Sequence, residues 1–293
     1  MKQLSCSMGM VVIAALALFG GAGCAADAEV DAESNVAVAR SAITSGEEDT
    51  GDEAVVAILT KGDVHCTGFM VTKNVVVTAA HCLTPIVPDE VFFGQRPGKK
   101  GTTIKVKATL AHPDYDEDSL ENDIGLIAIE ENGPAEPLVV RAAPFDQSFK
   151  GKPLRIVGFG ATGSLEEGKR KREGSSVVAS FGSGTFRLKG TPSQTCLGDS
   201  GGPAFAPKAT GEGESVIGIA SSGDSDCKEY ATHTRIDVHF KFIQDFAKKH
   251  AIDTRDASVA AGCTSAPVRS SSGPGVLVVA AAVVVLALRR RRA

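Results

Sequence analysis

Three side chains in this sequence have the types and surroundings that acyl transfer requires. Ser200 stands in Cys196-Leu197-Gly198-Asp199-Ser200-Gly201-Gly202-Pro203. Glycines on both sides permit a tight turn and close backbone approach. Such a turn can present Ser200 Oγ outward while neighbouring N–H groups converge where an oxyanion would form. A serine hydroxyl is a weak nucleophile alone; it needs a base, and the base needs an orienting group. Among the six histidines, His81 ends the run Val75-Val76-Val77-Thr78-Ala79-Ala80-His81-Cys82, where an apolar strand breaks into a small-residue turn. Asp123, in Asn122-Asp123-Ile124-Gly125-Leu126-Ile127, puts a carboxylate at the mouth of an apolar strand, where burial demands a partner. Taken singly, His81 also reads as a structural histidine at a strand end and Asp123 as a residue that turns the chain.

The elements around these residues are short and β-branched. Strands are expected over 54–59, 67–72, 75–78, 91–94, 103–110 and 124–129, and again over 154–158, 176–181, 185–188, 203–206, 215–220 and 232–236. In Ile104-Lys105-Val106-Lys107-Ala108-Thr109-Leu110 the alternation is strict, so Lys105 and Lys107 should face water. Two sets of about six strands fit two small closed barrels, joined by the Pro- and Gly-rich stretch 132–152. In 237–250 the period changes: Val238, Phe242, Ile243 and Phe246 recur at helical spacing, with Lys248, Lys249 and His250 in the last turn, where cations suit the helix dipole. The expected fold is therefore all-β, two six-stranded antiparallel barrels closed by a C-terminal helix. The basic run Lys169–Arg172 reads as a solvated loop, or more sharply as a self-cleavage site.

Composition narrows the function classes. The chain has 293 residues and a formal net charge of −4, a mild balance that argues against a nucleic-acid binder. No His-Glu-x-x-His motif is present, so a metallopeptidase is not expected, and no metal or cofactor is implied. Gly198, Ser200 and Gly202 also match the nucleophile elbow of an α/β-hydrolase, whose triad would have to use Asp237 and His250. That fold needs strands alternating with helices, and one convincing helix is in view. Of seven cysteines, Cys6 and Cys24 lie near the N-terminus and Cys263 near the C-terminus, leaving Cys66, Cys82, Cys196 and Cys227 as an even set. Behind an export signal, disulfides are a better reading of that set than metal ligation.

Together, Val77-Thr78-Ala79-Ala80-His81-Cys82, Asn122-Asp123-Ile124-Gly125-Leu126 and Gly198-Asp199-Ser200-Gly201-Gly202-Pro203, in the order His, Asp, Ser, resemble the trypsin-like (chymotrypsin-fold) serine peptidases over about residues 43–250. The resemblance implies two six-stranded barrels with the catalytic residues between them. It implies His81 as general base and acid, Asp123 as its orienter, Ser200 as nucleophile, and the Gly198 and Ser200 N–H groups as oxyanion hole. It implies disulfides Cys66–Cys82 and Cys196–Cys227, and substrate binding by Gln194, Thr195, Ser221, Ser222 and Gly223. Cleavage after Ala42 would free the Ile43 amine to pair with Asp199, which implies an activating peptidase. Ile43-Thr44-Ser45-Gly46 departs from the commoner Ile-Val-Gly-Gly, and Arg40, two residues upstream of Ala42, is the nearer target for a trypsin. Gln194 stands at the pocket-floor position, where an Asp would select Lys or Arg, so strong Lys/Arg preference is not expected; Ala231 is placed on the pocket wall. Ser222 replaces a usual Trp. The short Asp123–Ser200 interval implies loss of a surface helix and of one common disulfide of the second barrel. The rival of a different class is a catalytically silent binding or adhesion protein on the same scaffold.

The ends carry their own signals. Residues 1–24 read as an export signal with an apolar core at 10–19. Gly21-Ala22-Gly23-Cys24 resembles a bacterial lipoprotein cleavage box; ordinary signal peptidase cleavage after Ala26 is the alternative. Residues 25–42 are a propeptide or linker, 43–252 the peptidase domain (first barrel about 43–140, second about 141–236, helix 237–250), 253–273 a tether, and 274–293 an apolar tail ending in arginines. Cys263, the Pro274-Gly275 break, the apolar stretch and Arg289–Arg292 resemble C-terminal sorting signals of myxobacterial type, in which the tail is removed and the Cys region attached to the cell surface; a plain tail anchor is the alternative. The expectation is a monomeric, exported, extracellular or outer-membrane-attached enzyme that acts on polypeptides, meets a sorting enzyme at its tail and touches membrane through an end segment.

Overall fold

The computed structural model describes residues 43–160 and 169–250. The expected leader, linker, tether and tail lie outside the described residues. The strands are β1 (Glu47–Glu48), β2 (Val55–Thr60), β3 (Asp63–Thr72), β4 (Val75–Thr78), β5 (Glu90–Gly94), β6 (Gly101–Ala111), β7 (Gly125–Ile129), β8 (Pro153–Gly158), β9 (Arg172–Phe181), β10 (Thr185–Pro192), β11 (Pro203–Pro207), β12 (Glu214–Gly223) and β13 (Tyr230–Arg235), followed by α1 (Phe240–His250). The order β2-β3-β4-β7-β6-β5 closes one six-stranded antiparallel barrel. The order β9-β10-β13-β12-β11-β8 closes the second through the β8–β9 pairing. With one helix among the described residues, the α/β-hydrolase alternative is excluded.

Closure explains why these runs are almost wholly apolar. β4 and β7 are buried along their full length, because a barrel strand packed under a neighbour on its outer face has no wet side. The main apolar cluster fills the first barrel, and Val157, Phe159, Phe205, Val216 and Ile219 carry it across into the second. A separate cluster of Phe145, Leu154, Ile156, Val178, Phe186, Leu188 and Ile217 fills the second barrel, and Ile43 belongs to it with no exposed surface. The helix leaves β13 and returns to the first barrel, where Ile243, Phe246 and Ala247 are buried against β4 and β7, and Asn74 Nδ2 donates to the His250 carbonyl at 2.5 Å.

Four expectations are corrected. Lys105 and Lys107 do face water, but Leu110 is 43% exposed: a bulge between Val106 and Ala108 shifts the pleat by one residue and turns Leu110 outward. Val238 is 49% exposed because Asp237–His239 forms a 3-10 turn, whose tighter winding takes it off the apolar face of α1. Glu47–Glu48 pairs with β9, so the chain just after Ile43 belongs to the second sheet and not to the first barrel. The basic run Lys169–Arg172 is not a solvated loop, since Arg172 opens β9 and Lys171 is buried.

His233, on β13, is fully buried and stacked on Phe186 at 5.3 Å, and among the described residues neither ring nitrogen has a partner at full hydrogen-bond geometry. Burial pushes its pKa down to about 3. The unfolded chain takes up this proton near pH 6.5 while the folded chain resists it, so stability is lost as pH falls from 6.5 toward about 3. We predict that His233→Phe removes a slope of up to ~1.4 kcal/mol per pH unit below about pH 6, read from urea unfolding midpoints at neutral and acid pH. An unchanged slope would contradict this assignment.

Candidate active site

Two of the three expected residues come from the first barrel. β4 ends at Thr78 and the chain enters a 3-10 turn, Ala80–Cys82, that carries His81. The turn is fixed from both sides: Cys82 is bonded to Cys66 of β3, with the Cα atoms 6.1 Å apart, and the His81 N–H donates to Asp123 Oδ1 at 3.0 Å. Asp123 lies two residues before the buried strand β7 and has no exposed surface. Its Oδ2 lies 2.8 Å from His81 Nδ1 and accepts the Ser221 hydroxyl at 2.6 Å. Burial pushes this carboxyl upward, but the hydrogen bonds and charge of His81, with the bond from Ser221, outweigh burial and hold it below the usual carboxylate range. The imidazole is thus held in the tautomer with hydrogen on Nδ1, which leaves Nε2 able to accept a proton.

Ser221 belongs to β12, so the second barrel closes over Asp123. Thr234 of β13 adds a bond to the Asp123 carbonyl at 3.0 Å. Ser200 also comes from this barrel, from the turn before β11, and is partly exposed. The turn is built on left-handed backbone at Gly198 (φ 91) and Gly201 (φ 85), and at Gly201 a Cβ would lie 2.1 Å from Thr78 Oγ1 and 2.2 Å from the Thr67 carbonyl. The first barrel therefore presses directly on the turn. The Thr67 N–H donates to the Ser200 carbonyl at 2.8 Å, and Cys82 Sγ lies 3.8 Å from that same oxygen, bringing the residue after His81 beside Ser200. Cys66, His81 and Cys82 cluster closely enough to suggest a metal site, but a disulfide offers no thiolate.

Asp199 points the opposite way, into the second barrel, with no exposed surface. It accepts N–H bonds from Ile43 at 3.0 Å, Cys196 at 2.9 Å and Gly160 at 2.8 Å. Burial raises its pKa to about 6, against the pull of those three bonds. Ile43, a β-branched residue, sits at φ 33, a conformation that costs about 1–3 kcal/mol. Thr44 then pairs with Gln194: its N–H donates to the Gln194 carbonyl at 2.8 Å, and its hydroxyl accepts the Gln194 N–H at 2.9 Å.

Beside Ser200 opens a cavity of about 140 Å³, lined by Thr195, Ser222, Gly223, Asp224, Ser225 and the Cys196–Cys227 disulfide, among others. The expected residues Thr195, Ser221, Ser222 and Gly223 all line it. Gln194 does not: it is fully buried, and its amide donates to Asp224 Oδ1 at 2.8 Å and to the Tyr230 carbonyl at 2.7 Å. Asp224 also accepts the N–H groups of Lys228, Glu229 and Tyr230. Burial is the largest single influence on Asp224 and pushes its pKa up, but the donors together, Gln194 foremost, outweigh it and hold the group well below the usual carboxylate range. Asp224, Ser225 and Leu197, which is 62% exposed at the cavity rim, were not singled out from sequence. Nor was Thr67, whose hydroxyl donates to the Gly198 carbonyl at 2.9 Å and accepts the Phe159 N–H at 2.9 Å. Its type carries no signal; only the fold brings it to the turn.

Two closed six-stranded antiparallel barrels, with a histidine and carboxylate from one facing a serine turn from the other, define the chymotrypsin fold. The family model described as Trypsin matches residues 43–243. A chymase of Papio hamadryas is 30% identical over 197 residues, covering 61% of this chain and 77% of that protein. A chymotrypsin of Phaedon cochleariae is 25% identical over 203 residues, covering 64% and 73%, and Kallikrein-7 of Homo sapiens is 23% identical over 239 residues, covering 71% and 92%. The chain belongs to the trypsin family and is a serine endopeptidase.

Thr67 yields a test of how the turn is held. Thr67→Val keeps the shape but leaves the Gly198 carbonyl and Phe159 N–H without partners, so it should cost roughly 2–4 kcal/mol in denaturant unfolding. Thr67→Ser should stay within about 1 kcal/mol of wild type. A valine variant as stable as wild type would show that the hydroxyl does not hold the turn.

Proposed function

We propose that this chain is an exported endopeptidase that hydrolyses peptide bonds through His81, Asp123 and Ser200 and an acyl-enzyme. The observation that carries the reading is the buried Asp123 carboxylate, which grips both faces of the His81 turn and is closed over by Ser221 from the barrel that bears Ser200. Ser200 Oγ attacks the scissile carbonyl while His81 Nε2 takes its proton. The new oxyanion is met by the Gly198 and Ser200 N–H groups. Collapse expels the amine, which takes the proton from His81, and water then repeats the sequence on the acyl-enzyme. Asp123 stays ionised throughout, in keeping with its lowered pKa.

Activation proceeds by cleavage before Ile43. In the uncut chain the Ile43 nitrogen is an amide, so among the described residues the buried Asp199 carboxylate is met by neutral N–H donors and by no cation. A freed amine supplies that cation in place, and the cut also abolishes the φ restraint on Ile43. Activity is lost at alkaline pH as the amine deprotonates, since an unperturbed α-amino group titrates near pH ~8. The substrate residue before the cut is small or uncharged. Support comes from the modest cavity, from hydroxyls on its wall, and from the saturation of Asp224, which four N–H donors already occupy.

Residues 1–24 direct export, and the Cys263–Arg292 region sorts or anchors the product at the cell surface. Two disulfides in the body suit an oxidising compartment. Among the described residues no helix is long and apolar enough to cross a membrane; the apolar tail lies outside them.

Digestion of a peptide library by the protein cut before Ile43, with Ser200→Ala as control, tests the reading. Cleavage after small or uncharged residues, abolished by Ser200→Ala, is expected. Cleavage mainly after Lys or Arg would overturn the specificity, and failure of a fluorophosphonate to label Ser200 would overturn the mechanism in favour of a silent binding protein.

A further inference from the structure

The basic run Lys169–Arg172 is absorbed by neither fold class nor chemistry, yet each of its residues has a partner, and for Arg170, Lys171 and Arg172 that partner lies in the stretch just after Ile43. Arg172 Nη1 donates to the Gly46 carbonyl at 3.0 Å, and Arg170 Nη1 meets Glu48 Oε2 at 2.7 Å. Lys169 reaches Asp63 at 2.7 Å. Lys171 is the centre. Its side chain is 1% exposed, that of Asp49 is 3% exposed, and Nζ lies 3.7 Å from Asp49 Oδ2. Asp49 Oδ1 accepts the N–H groups of Gly51 and Asp52, whereas among the described residues Oδ2 has no partner within hydrogen-bond distance and Lys171 is its nearest cation. The charge on Oδ2 is therefore met by Lys171. The same Nζ donates a short bond to the Asp52 carbonyl, and the Asp49 N–H donates to the Lys171 carbonyl at 3.2 Å.

From this geometry we infer that Lys171, flanked by Arg170 and Arg172, is a positioning residue that latches Gly46–Asp52 onto the second barrel so that Ile43 stays docked on Asp199. The inference rests on the reading of Ile43 and Asp199 given above. Between the latch and Asp199 lie only Ile43, Thr44 and Ser45, and Ser45 keeps left-handed backbone (φ 56) after the cut, so this short link is bent against its own preference. A bent link docks only if its far end is held. A buried ammonium–carboxylate pair does this with direction, because either charge alone in that site is costly.

Docking and protonation of the Ile43 amine are linked: the docked form holds the proton, so each tenfold loss in docking lowers the alkaline limit of activity by about one pH unit. The charged and titratable groups on the elements packed around the Ile43 nitrogen are Asp199 on the Ser200 turn, Glu47 and Glu48 on β1, and Arg172 and Glu173 on β9. Of these Asp199 is the one bonded to it.

The test uses the full chain cut before Ile43 through a protease recognition sequence placed at residues 38–42. Fluorophosphonate labelling and peptide turnover are followed against pH. If the cut wild-type chain fails to label, the activation reading is at fault and the latch has nothing to act on. Where wild type labels, Lys171→Met should lower the alkaline limit by about one unit and reduce the labelled fraction near that limit, with KM per labelled site unchanged. Should Lys171→Met fail to fold, the double variant Asp49→Asn/Lys171→Met, which leaves no unpaired buried charge, must show the same displacement. Arg170→Gln, at the exposed pair, should displace the limit in the same direction by roughly 0.2–0.5 unit. An alkaline limit equal to wild type in the folded Lys171→Met or double variant overturns the latch.

Discussion

The structure depends on one buried carboxylate. Asp199 has no exposed surface and sits where three separate pieces of chain meet: the start of the second sheet at Ile43, the Ser200 turn at Cys196, and the end of β8 at Gly160. Each gives it one backbone N–H. A carboxylate in that position cannot be moved without leaving all three donors unpaired, so its direction sets the direction of its neighbour. Because Asp199 points inward, Ser200 points out. The same burial makes the site conditional, since desolvation raises the acid to about 6 when its donors are neutral amides. In the proposed activation a cation at the Ile43 nitrogen removes that conflict; among the described residues the groups bonded to the carboxylate are neutral N–H donors.

Asp123 plays the matching part on the other side of the cleft. It comes from the first barrel, holds the His81 turn through both main chain and ring, and receives Ser221 and Thr234 from the second. The interface between the barrels is thus tied by polar groups at the place where chemistry is proposed, and by packing elsewhere, where Phe159, Phe205 and Val216 join the first barrel's core. Thr67 links the two halves again, pairing through its hydroxyl with the turn and with Phe159. Disulfides secure what hydrogen bonds begin: one fixes the His81 turn, the other closes the cavity wall beside Ser200.

Much of this was legible in the residues. Runs such as Val75–Thr78 and Gly125–Ile129 announce buried strands through composition alone, and His81, Asp123 and Ser200 stand out because each sits where an apolar strand meets a turn. What escaped depends on register and long-range pairing. Alternation places Leu110 inside, because a bulge cannot be read from it. Glu47–Glu48 is too short for any periodic signal, and its partner lies more than a hundred residues away. The basic run at 169–172 looked solvated because four cations in sequence usually are, and nothing local says that acidic residues at 48, 49 and 63 will come to meet three of them. Position alone makes Gln194 a pocket floor, whereas its amide is committed to Asp224 and Tyr230. Side chains whose role is set by one distant partner were the ones the sequence concealed.

The central claim is that the site becomes competent when the Ile43 amine carries a charge onto Asp199. Titration of Ser200 with a fluorophosphonate tests it most directly, comparing the chain cut before Ile43 with the same cut chain acetylated at the Ile43 amine. The account predicts near-stoichiometric labelling of the free-amine form and loss of most labelling on acetylation. Equal labelling of the two forms would contradict it.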